Sequence, residues 1–235
     1  MYSTNNAWKI KFKEKRMQNK NDKIIDWDMS GADIEAESFR RIDEEMGPHD
    51  YGETEWRIIR RLIHTTADFS IADNVDLRHD PVNAGIEAVR DGVPIYCDSN
   101  MLASGISVKV LQRYNQTYSR DSISCLVGDP AVAVEAKRRG VARSLIAIEK
   151  AQHVVDGGIV LIGNAPLALA ALARMIEKDE VKPRLVIGMP VGFVHVLESK
   201  EMLQRTEVPQ VVLQGRRGGS PLAVAAFHGI INTNI

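Results

Sequence analysis

GGIVLIGNAPLALAALARMI, residues 157–176, is the most apolar run of the chain. It is long enough to raise the question of a membrane-spanning helix. However, residues 163–166, Gly-Asn-Ala-Pro, interrupt its middle with turn formers, so the run is more typical of a strand, a turn and a helix. We therefore expect a buried strand and its covering helix, and no membrane association.

The same unit of a short apolar strand and a helix recurs from Pro81 onward. The predicted strands lack polar–apolar alternation, as is typical of strands covered on both faces. Strands that alternate with helices indicate an α/β fold: one domain of three layers, with a doubly wound, mostly parallel sheet and helices on both faces. Strands are predicted at 94–98, 122–127, 158–163, 184–188 and 210–214, and helices at 82–91, 131–140, 142–153, 167–178, 198–205 and 221–231. The sequence leaves 69–78 open between strand and loop.

A helix is predicted at residues 31–46, between an N-cap pattern starting at Ser30 and a Gly47-Pro48 stop. Ser38 falls inside its apolar arc, where a hydroxyl either bonds back to the carbonyl four residues earlier or faces a cleft. Residues 1–28 are lysine-rich and lack a hydrophobic signal core, so we expect a mobile extension there and the folded domain at 29–235. The buried side of the helix is predicted to hold Ile34, Phe39, Ile42 and Met46.

Composition excludes several function classes. With 30 basic and 31 acidic residues the net charge is −1, so no global field attracts nucleic acid and any anion site must be local. Cys97 and Cys125 lie in apolar runs, which favours reduced thiols and a cytoplasmic protein. The sequence contains no G-x-G-x-x-G or P-loop motif and no C-x-x-C or H-x-x-x-H spacing, so common nucleotide and metal sites have little support.

A second helix is predicted from Arg57 to Asp68, with one apolar and one basic face. His64 lies three and four residues after Arg61 and Arg60, so its ring shares a surface patch with both guanidiniums. By itself such a patch more often marks a solvated cationic face. The apolar side is predicted to hold Trp56, Ile58, Ile59, Leu62 and Ile63, and the outward side Arg57, Arg60, Arg61 and His64.

Turns rich in glycine and proline follow the predicted strands. The carboxyl ends of parallel strands meet at one edge of the sheet, where ligands bind at a topological switch point. Glycine permits close backbone approach, and helix N-termini offer N–H donors to anions. The turn at 215–220, Gly-Arg-Arg-Gly-Gly-Ser, adds two arginines to this edge. The turns lie at 98–101, 128–130, 163–166, 188–193 and 215–220.

An ordered set of motifs resembles the precorrin-8X methylmutase family, the precorrin isomerases of cobalamin biosynthesis. The resemblance runs from about Asp33 to the C-terminus. The motifs are ESFR (37–40), RLIHTTAD (61–68), CDSNM (97–101), ARS (142–144), IGNAP (162–166), GMPVGFV (188–194), ESK (198–200) and GRRGGS (215–220).

The resemblance implies an intramolecular transferase, usually a homodimer, that moves a methyl group within ring C of a corrinoid precursor. The product would be hydrogenobyrinate, or cobyrinate when the substrate already carries cobalt; no cofactor held by the protein is implied. His64 matches the catalytic histidine of the family, and Ser38 and Arg61 match substrate-binding positions. We add Arg143 and Arg216 as ligands of the tetrapyrrole's carboxylate arms, which arginine binds bidentately.

Two departures and two alternatives accompany this interpretation. Residues 141–144 lack the threonine expected before Arg143, and His195 stands where glycine or asparagine is common. The continuation from Thr65 to Asp68 favours the cobalt-pathway branch. The alternatives are a non-catalytic corrinoid-binding or carrier protein, and a doubly wound nucleotide-binding module that uses the 215–220 turn for phosphate. The roles of Arg60 and His195 are left open.

Overall fold

A computed structural model of the protein describes residues 25–232 of the 235-residue chain. It divides into two compact units, one ending at Arg41 and one beginning at Ile42, and each is described by itself. The predicted N-terminal extension lies almost wholly outside the described residues and stays a prediction.

The described helices and strands follow the predicted alternation closely. The helices are α1 (Gly31–Met46), α2 (Glu53–Thr66), α3 (Pro81–Arg90), α4 (Asn100–Gly105), α5 (Val108–Leu111), α6 (Pro130–Arg139), α7 (Arg143–Lys150), α8 (Gln152–Val155), α9 (Pro166–Glu177), α10 (Val196–Gln204) and α11 (Ser220–Ile231). The strands are β1 (Val75–Arg78), β2 (Ile95–Cys97), β3 (Ile123–Ser124), β4 (Ile159–Ile162), β5 (Leu185–Gly188) and β6 (Gln210–Leu213), and 3₁₀ turns cover Phe69–Asn74 and Arg120–Ser122. The helix predicted at 142–153 is divided into α7 and α8, and α4 and α5 were not predicted.

In the first unit, α1 begins with the predicted cap. The Ser30 hydroxyl accepts from the Asp33 N–H (3.2 Å), and the Asp33 carboxylate accepts from the Ser30 N–H in return (3.2 Å). Ser38 takes the back-bonded alternative, because its hydroxyl donates to the Ile34 carbonyl (2.8 Å). Phe39 is buried as predicted, as is Ile42 at the start of the second unit, whereas Ile34 is 52% exposed. The apolar periodicity was therefore wrong for Ile34, which lies in the first turn of the helix.

The second unit contains a six-stranded sheet in the order β1-β6-β5-β4-β2-β3. All neighbouring strands are parallel except β1, which runs antiparallel to β6 at the edge. The segment left open at 69–78 is thus a 3₁₀ turn followed by an edge strand. The strand predicted at 122–127 shortens to β3, so Cys125 lies beyond it and is half-buried, whereas Cys97 is buried in β2.

Helices cover both faces of this sheet. Alternate strand residues, including Tyr96, Val160 and Val186, pack with α7 to α10 in one apolar core. On the other face, α3 and α11 pack against β4 and β5. The predicted single α/β domain with a three-layer, doubly wound, mostly parallel sheet is therefore confirmed. None of the described helices is long and apolar enough to cross a membrane.

Helix α2 packs mainly against α11, which is thereby enclosed between α2 and the sheet. The five apolar residues predicted for α2 are its buried residues. A Cβ at Gly229, near the end of α11, would lie 2.9 Å from the Ile58 Cα. Arg217, just before α11, contacts Asp68, just after α2. The two helices are therefore antiparallel, and the C-terminal end of α2 reaches the carboxyl edge of the sheet.

The close approach of α2 and α11 predicts a stability defect for Gly229→Ala. Alanine is the better helix former, but its methyl group would clash with the Ile58 backbone, so we expect the free energy of unfolding to fall by about 1–3 kcal/mol. Gly31→Ala, a helical glycine with no atom within 4 Å of an added Cβ, is the control. Thermal and denaturant unfolding measure both, and an unchanged or raised stability of Gly229→Ala would contradict the packing argument.

Candidate active site

The crevice between β2 and β4 is the topological switch point, because the chain runs from β2 to β3 in one direction along the sheet and from β4 to β5 in the other. Asp98, directly after β2, is only 2% exposed. Its carboxylate accepts the N–H groups of Gly163 (3.1 Å), Asn164 (2.7 Å) and Ala165 (2.6 Å), directly after β4. Burial raises the pKa of Asp98, and the three backbone donors act against that shift. One carboxylate thus ties the ends of two strands together.

The start of α11 is packed against the same edge. A Cβ at Gly163 would lie 2.8 Å from the Ser220 Cα, so only glycine fits there. The hydroxyls of Ser99 and Ser220 are hydrogen-bonded (2.9 Å). The loops after β5 and β6 are joined by backbone bonds from the Gly219 N–H to the Met189 carbonyl and from the Gly192 N–H to the Arg216 carbonyl. The predicted cluster of small-residue turns is therefore one connected surface.

The glycine-rich loop at 215–220 is held by two cationic side chains. Lys200 on α10 is 2% exposed, and its ammonium donates to the carbonyls of Gly215 (2.7 Å) and Arg217 (2.8 Å). Burial lowers the pKa of Lys200 to about 8. The Arg217 guanidinium pairs with Asp68 and donates to the Ser70 hydroxyl (3.1 Å). The loop is thereby attached to the segment that follows α2.

Arg216 lies on the exposed rim of this surface. Its guanidinium carbon is 5.5 Å from the ring centroid of Phe193, a cation–π arrangement. Phe193 is 84% exposed, and Val194 beside it is 69% exposed. The rim therefore presents a cation and an apolar surface together, which is the combination that a large apolar ring with carboxylate arms would require.

Among the α2 candidates, His64 is exposed and Arg61 is half-buried, near the helix end that contacts the loop. Arg60 instead donates to the Asp43 carboxylate (2.8 Å), which also accepts from the Trp56 indole N–H (2.9 Å). The expectation that Arg60 faces outward is wrong, because an acidic partner on another helix holds it. The role that the sequence left open for Arg60 is an ion pair that links α2 to Asp43.

The remaining candidates lie elsewhere. Ser38 belongs to the first unit, where its hydroxyl is bonded to Ile34. Arg143 is the first residue of α7 and is exposed, and in residues 25–232 no hydrogen bond or ion pair joins it to His64 or Arg216. His195 caps α10 with φ +61°, a left-handed conformation, which explains why glycine or asparagine would suit that position.

Asp98 and Lys200 are two buried residues of this region that lie within the quoted motifs but were given no role by the sequence analysis. Asp98 had a signal, because a carboxylate directly after a buried strand needs hydrogen-bond donors that compensate its charge. Lys200 had none, since its partners are backbone carbonyls. Within the described part of the chain, no group of three or more His, Cys, Asp or Glu side chains could hold a metal ion.

A family model described as precorrin-8X methylmutase matches residues 33–233. The chain belongs to the precorrin-8X methylmutase family. Precorrin-8X methylmutase from Thermus thermophilus, solved by crystallography, superposes with a TM-score of 0.77 at 40% identity, covering 86% of this chain and 95% of that one.

Curated relatives give the same family. The cobalt-precorrin-8 methylmutase of Leptospira interrogans is 38% identical over 210 residues, 86% of this chain and 93% of the relative. That of Priestia megaterium is 41% identical over 197 residues, 84% of this chain and 85% of the relative. Methylmutases are isomerases, so the enzyme class expected from the resemblance is confirmed, and the carrier and nucleotide-module alternatives are set aside.

The carboxylate at the switch point of this precorrin-8X methylmutase fold predicts a marked effect of Asp98→Asn. The amide offers one acceptor in place of two, so at least one buried N–H of the Gly163–Ala165 turn loses its partner. We expect the free energy of unfolding to fall by about 1–3 kcal/mol, measured by denaturant titration. Asp129→Asn is the control, because Asp129 caps α6 and asparagine caps helices equally well. Equal stability of the two variants would contradict the role given to Asp98.

Proposed function

We propose that this protein moves a methyl group from an α carbon to the adjacent β carbon in ring C of a corrinoid precursor, with His64 as the acid–base group. The observation that carries the proposal is the position of α2. Its C-terminal end, which bears Arg61 and His64, is attached through the contact between Asp68 and Arg217 to the glycine-rich loop at the carboxyl edge of the sheet. Ligands of doubly wound sheets bind at this edge.

The chemistry requires a positioned proton donor or acceptor. The bond from the methyl group to the α carbon breaks, a bond to the β carbon forms, and the conjugated π electrons of the macrocycle redistribute. A side chain that supplies or withdraws a proton during this step lowers its barrier. Histidine can act in either direction near neutral pH, and the exposure of His64 leaves its ring accessible to a substrate.

Arginine side chains account for binding of the acetate and propionate arms. Arg216 lies on the exposed rim beside Phe193, and Arg61 lies one helical turn from His64 on the same helix end. Their forks suit carboxylates, which accept two parallel N–H bonds from one guanidinium. We include Ser38 and Arg143 as further substrate ligands. Ser38 is supported by its match to a substrate-binding position of the family, and Arg143 by the affinity of a guanidinium for carboxylate arms.

The proposal includes a homodimer in the cytoplasm without a cofactor held by the protein. Support for the homodimer comes from the exposed apolar side chains of Phe193 and Val194, which a second subunit would cover together with the substrate. Cobalt, where present, belongs to the substrate. The names of the Leptospira and Priestia relatives, both cobalt-precorrin-8 methylmutases, favour the cobalt-loaded form.

His64→Ala tests the catalytic assignment. We expect turnover to fall by about 10²–10⁴-fold because the proton-transfer group is gone, while product affinity changes little. Turnover is followed by the absorbance change of metal-free and cobalt-loaded substrates, which also identifies the preferred form. His153→Ala, at an exposed position of helix α8, is the matched control and should turn over normally. Undiminished turnover of His64→Ala would refute the assignment.

Arg61→Ala and Arg216→Ala test the binding of side arms. Each loses one charge-assisted contact, so we expect KM and the product Kd to rise by about tenfold or more while kcat stays nearly constant. Arg184→Ala is the control. The Arg184 guanidinium pairs with Asp91 and lies at the amino end of β5, away from the proposed site. A loss of kcat at unchanged affinity would show that these arginines act on the reaction step instead.

A further inference from the structure

Lys200 is a buried ammonium group without an anionic partner. It is 2% exposed, its two hydrogen bonds both go to backbone carbonyls, and no carboxylate within residues 25–232 forms an ion pair with it. Burying a charge is costly unless other groups compensate it, and carbonyl dipoles do so less well than a carboxylate. The lowered pKa of Lys200, about 8, expresses this cost. A side chain of similar length without the charge, such as methionine, would fill the same space.

The two carbonyls that Lys200 binds flank one residue. Gly215 and Arg217 lie on either side of Arg216, so a single ammonium fixes the backbone before and after it. With the backbone carbonyls turned inward to Lys200, the Arg216 side chain projects to the rim, where it lies over Phe193. The geometry of the loop therefore determines the direction of this one guanidinium.

The neighbouring arginine has a different role. The Arg217 guanidinium forms an ion pair with Asp68 and donates a hydrogen bond to Ser70, which attaches the loop to the segment after α2. Of the two adjacent arginines, one is thus turned toward the protein and the other toward the rim. A loop held at both positions presents Arg216 at a defined distance from the helix end that carries Arg61 and His64.

We propose that Lys200 is a positioning residue for substrate binding: by holding the carbonyls of Gly215 and Arg217 it directs the Arg216 guanidinium toward the carboxylate arms of the corrinoid. The inference rests on the proposed function, because it takes Arg216 as a ligand of those arms. Lys200 itself touches no substrate atom and acts through the loop. Preordering Arg216 before binding removes the cost of immobilising a long side chain in the complex.

The test is a double-mutant cycle on the full-length protein with Lys200→Met and Arg216→Ala. Product affinity is measured by titration with cobyrinate and hydrogenobyrinate, and KM and kcat by the absorbance change. We expect Lys200→Met to raise Kd and KM by about five- to tenfold with kcat nearly unchanged. The double variant should bind no more weakly than Arg216→Ala alone, since Lys200 acts through Arg216.

Two further variants complete the experiment. Lys178→Met is the same substitution on an exposed lysine at the C-terminal end of α9. It should leave Kd and KM unchanged. Lys200→Arg keeps a charged donor and should recover part of the affinity; if Lys200→Met does not fold, the cycle is run with Lys200→Gln, which can still donate to one carbonyl.

The outcomes separate this inference from the proposed function. Additive effects of the two substitutions, or an unchanged Kd of the Lys200 variant, would overturn the positioning role even if the enzyme and Arg216→Ala behave as expected. If the unsubstituted protein neither binds nor isomerises a corrinoid, the proposed function itself fails. If Arg216→Ala leaves affinity intact, the assignment of Arg216 fails and the positioning role with it.

Discussion

The architecture at the carboxyl ends of the parallel strands depends on one buried carboxylate, that of Asp98. Between β2, from which the chain runs to β3, and β4, from which it runs the other way to β5, a doubly wound sheet has a crevice whose N–H groups normally bind an anionic ligand. Here Asp98 occupies that position and accepts the N–H groups of the turn that starts α9. The protein therefore supplies its own anion at the switch point. The loops after β5 and β6 and the segment that follows α2 are joined to one another beside this occupied crevice.

The number of arginines does not by itself measure how well this protein can bind an anion, because some of them are paired with carboxylates of the protein. Arg60 is neutralised by Asp43, and Arg217 by Asp68. One pair joins Asp43 to α2, and the other joins the loop before α11 to the segment after α2, so both cations stabilise the packing of the fold. Arg216, in contrast, lies over an aromatic ring that leaves its hydrogen-bond donors in the plane of the guanidinium. The net charge of −1 is thus compatible with a local cationic rim.

The sequence predicted those features that depend on local pattern. The five buried positions of α2 follow directly from helical periodicity, and β4 and β5 from uninterrupted apolar runs. Strand β1 was left open because Asp76 and Arg78 alternate with apolar residues over only four positions of an antiparallel edge. Arg60 was misplaced and Lys200 unassigned for the same reason. Their partners lie 15 or more residues away in sequence. The partners of Lys200 are also backbone carbonyls, which every residue has and which no sequence pattern marks. His64 was predicted as the catalytic residue through the family motif, whereas its basic surroundings alone favoured a solvated cationic face.

The two outermost strands of the sheet have a consequence for self-association. One edge is the four-residue strand β1, which carries Asp76 and Arg78, and the other is the two-residue strand β3. Exposed edges invite pairing with strands of other molecules, and short or charged edges suppress it. Neither end of this sheet offers a continuous template, so copies of the protein are disfavoured from joining through a shared β-sheet. This arrangement protects the apolar strands of the sheet from strand-mediated aggregation.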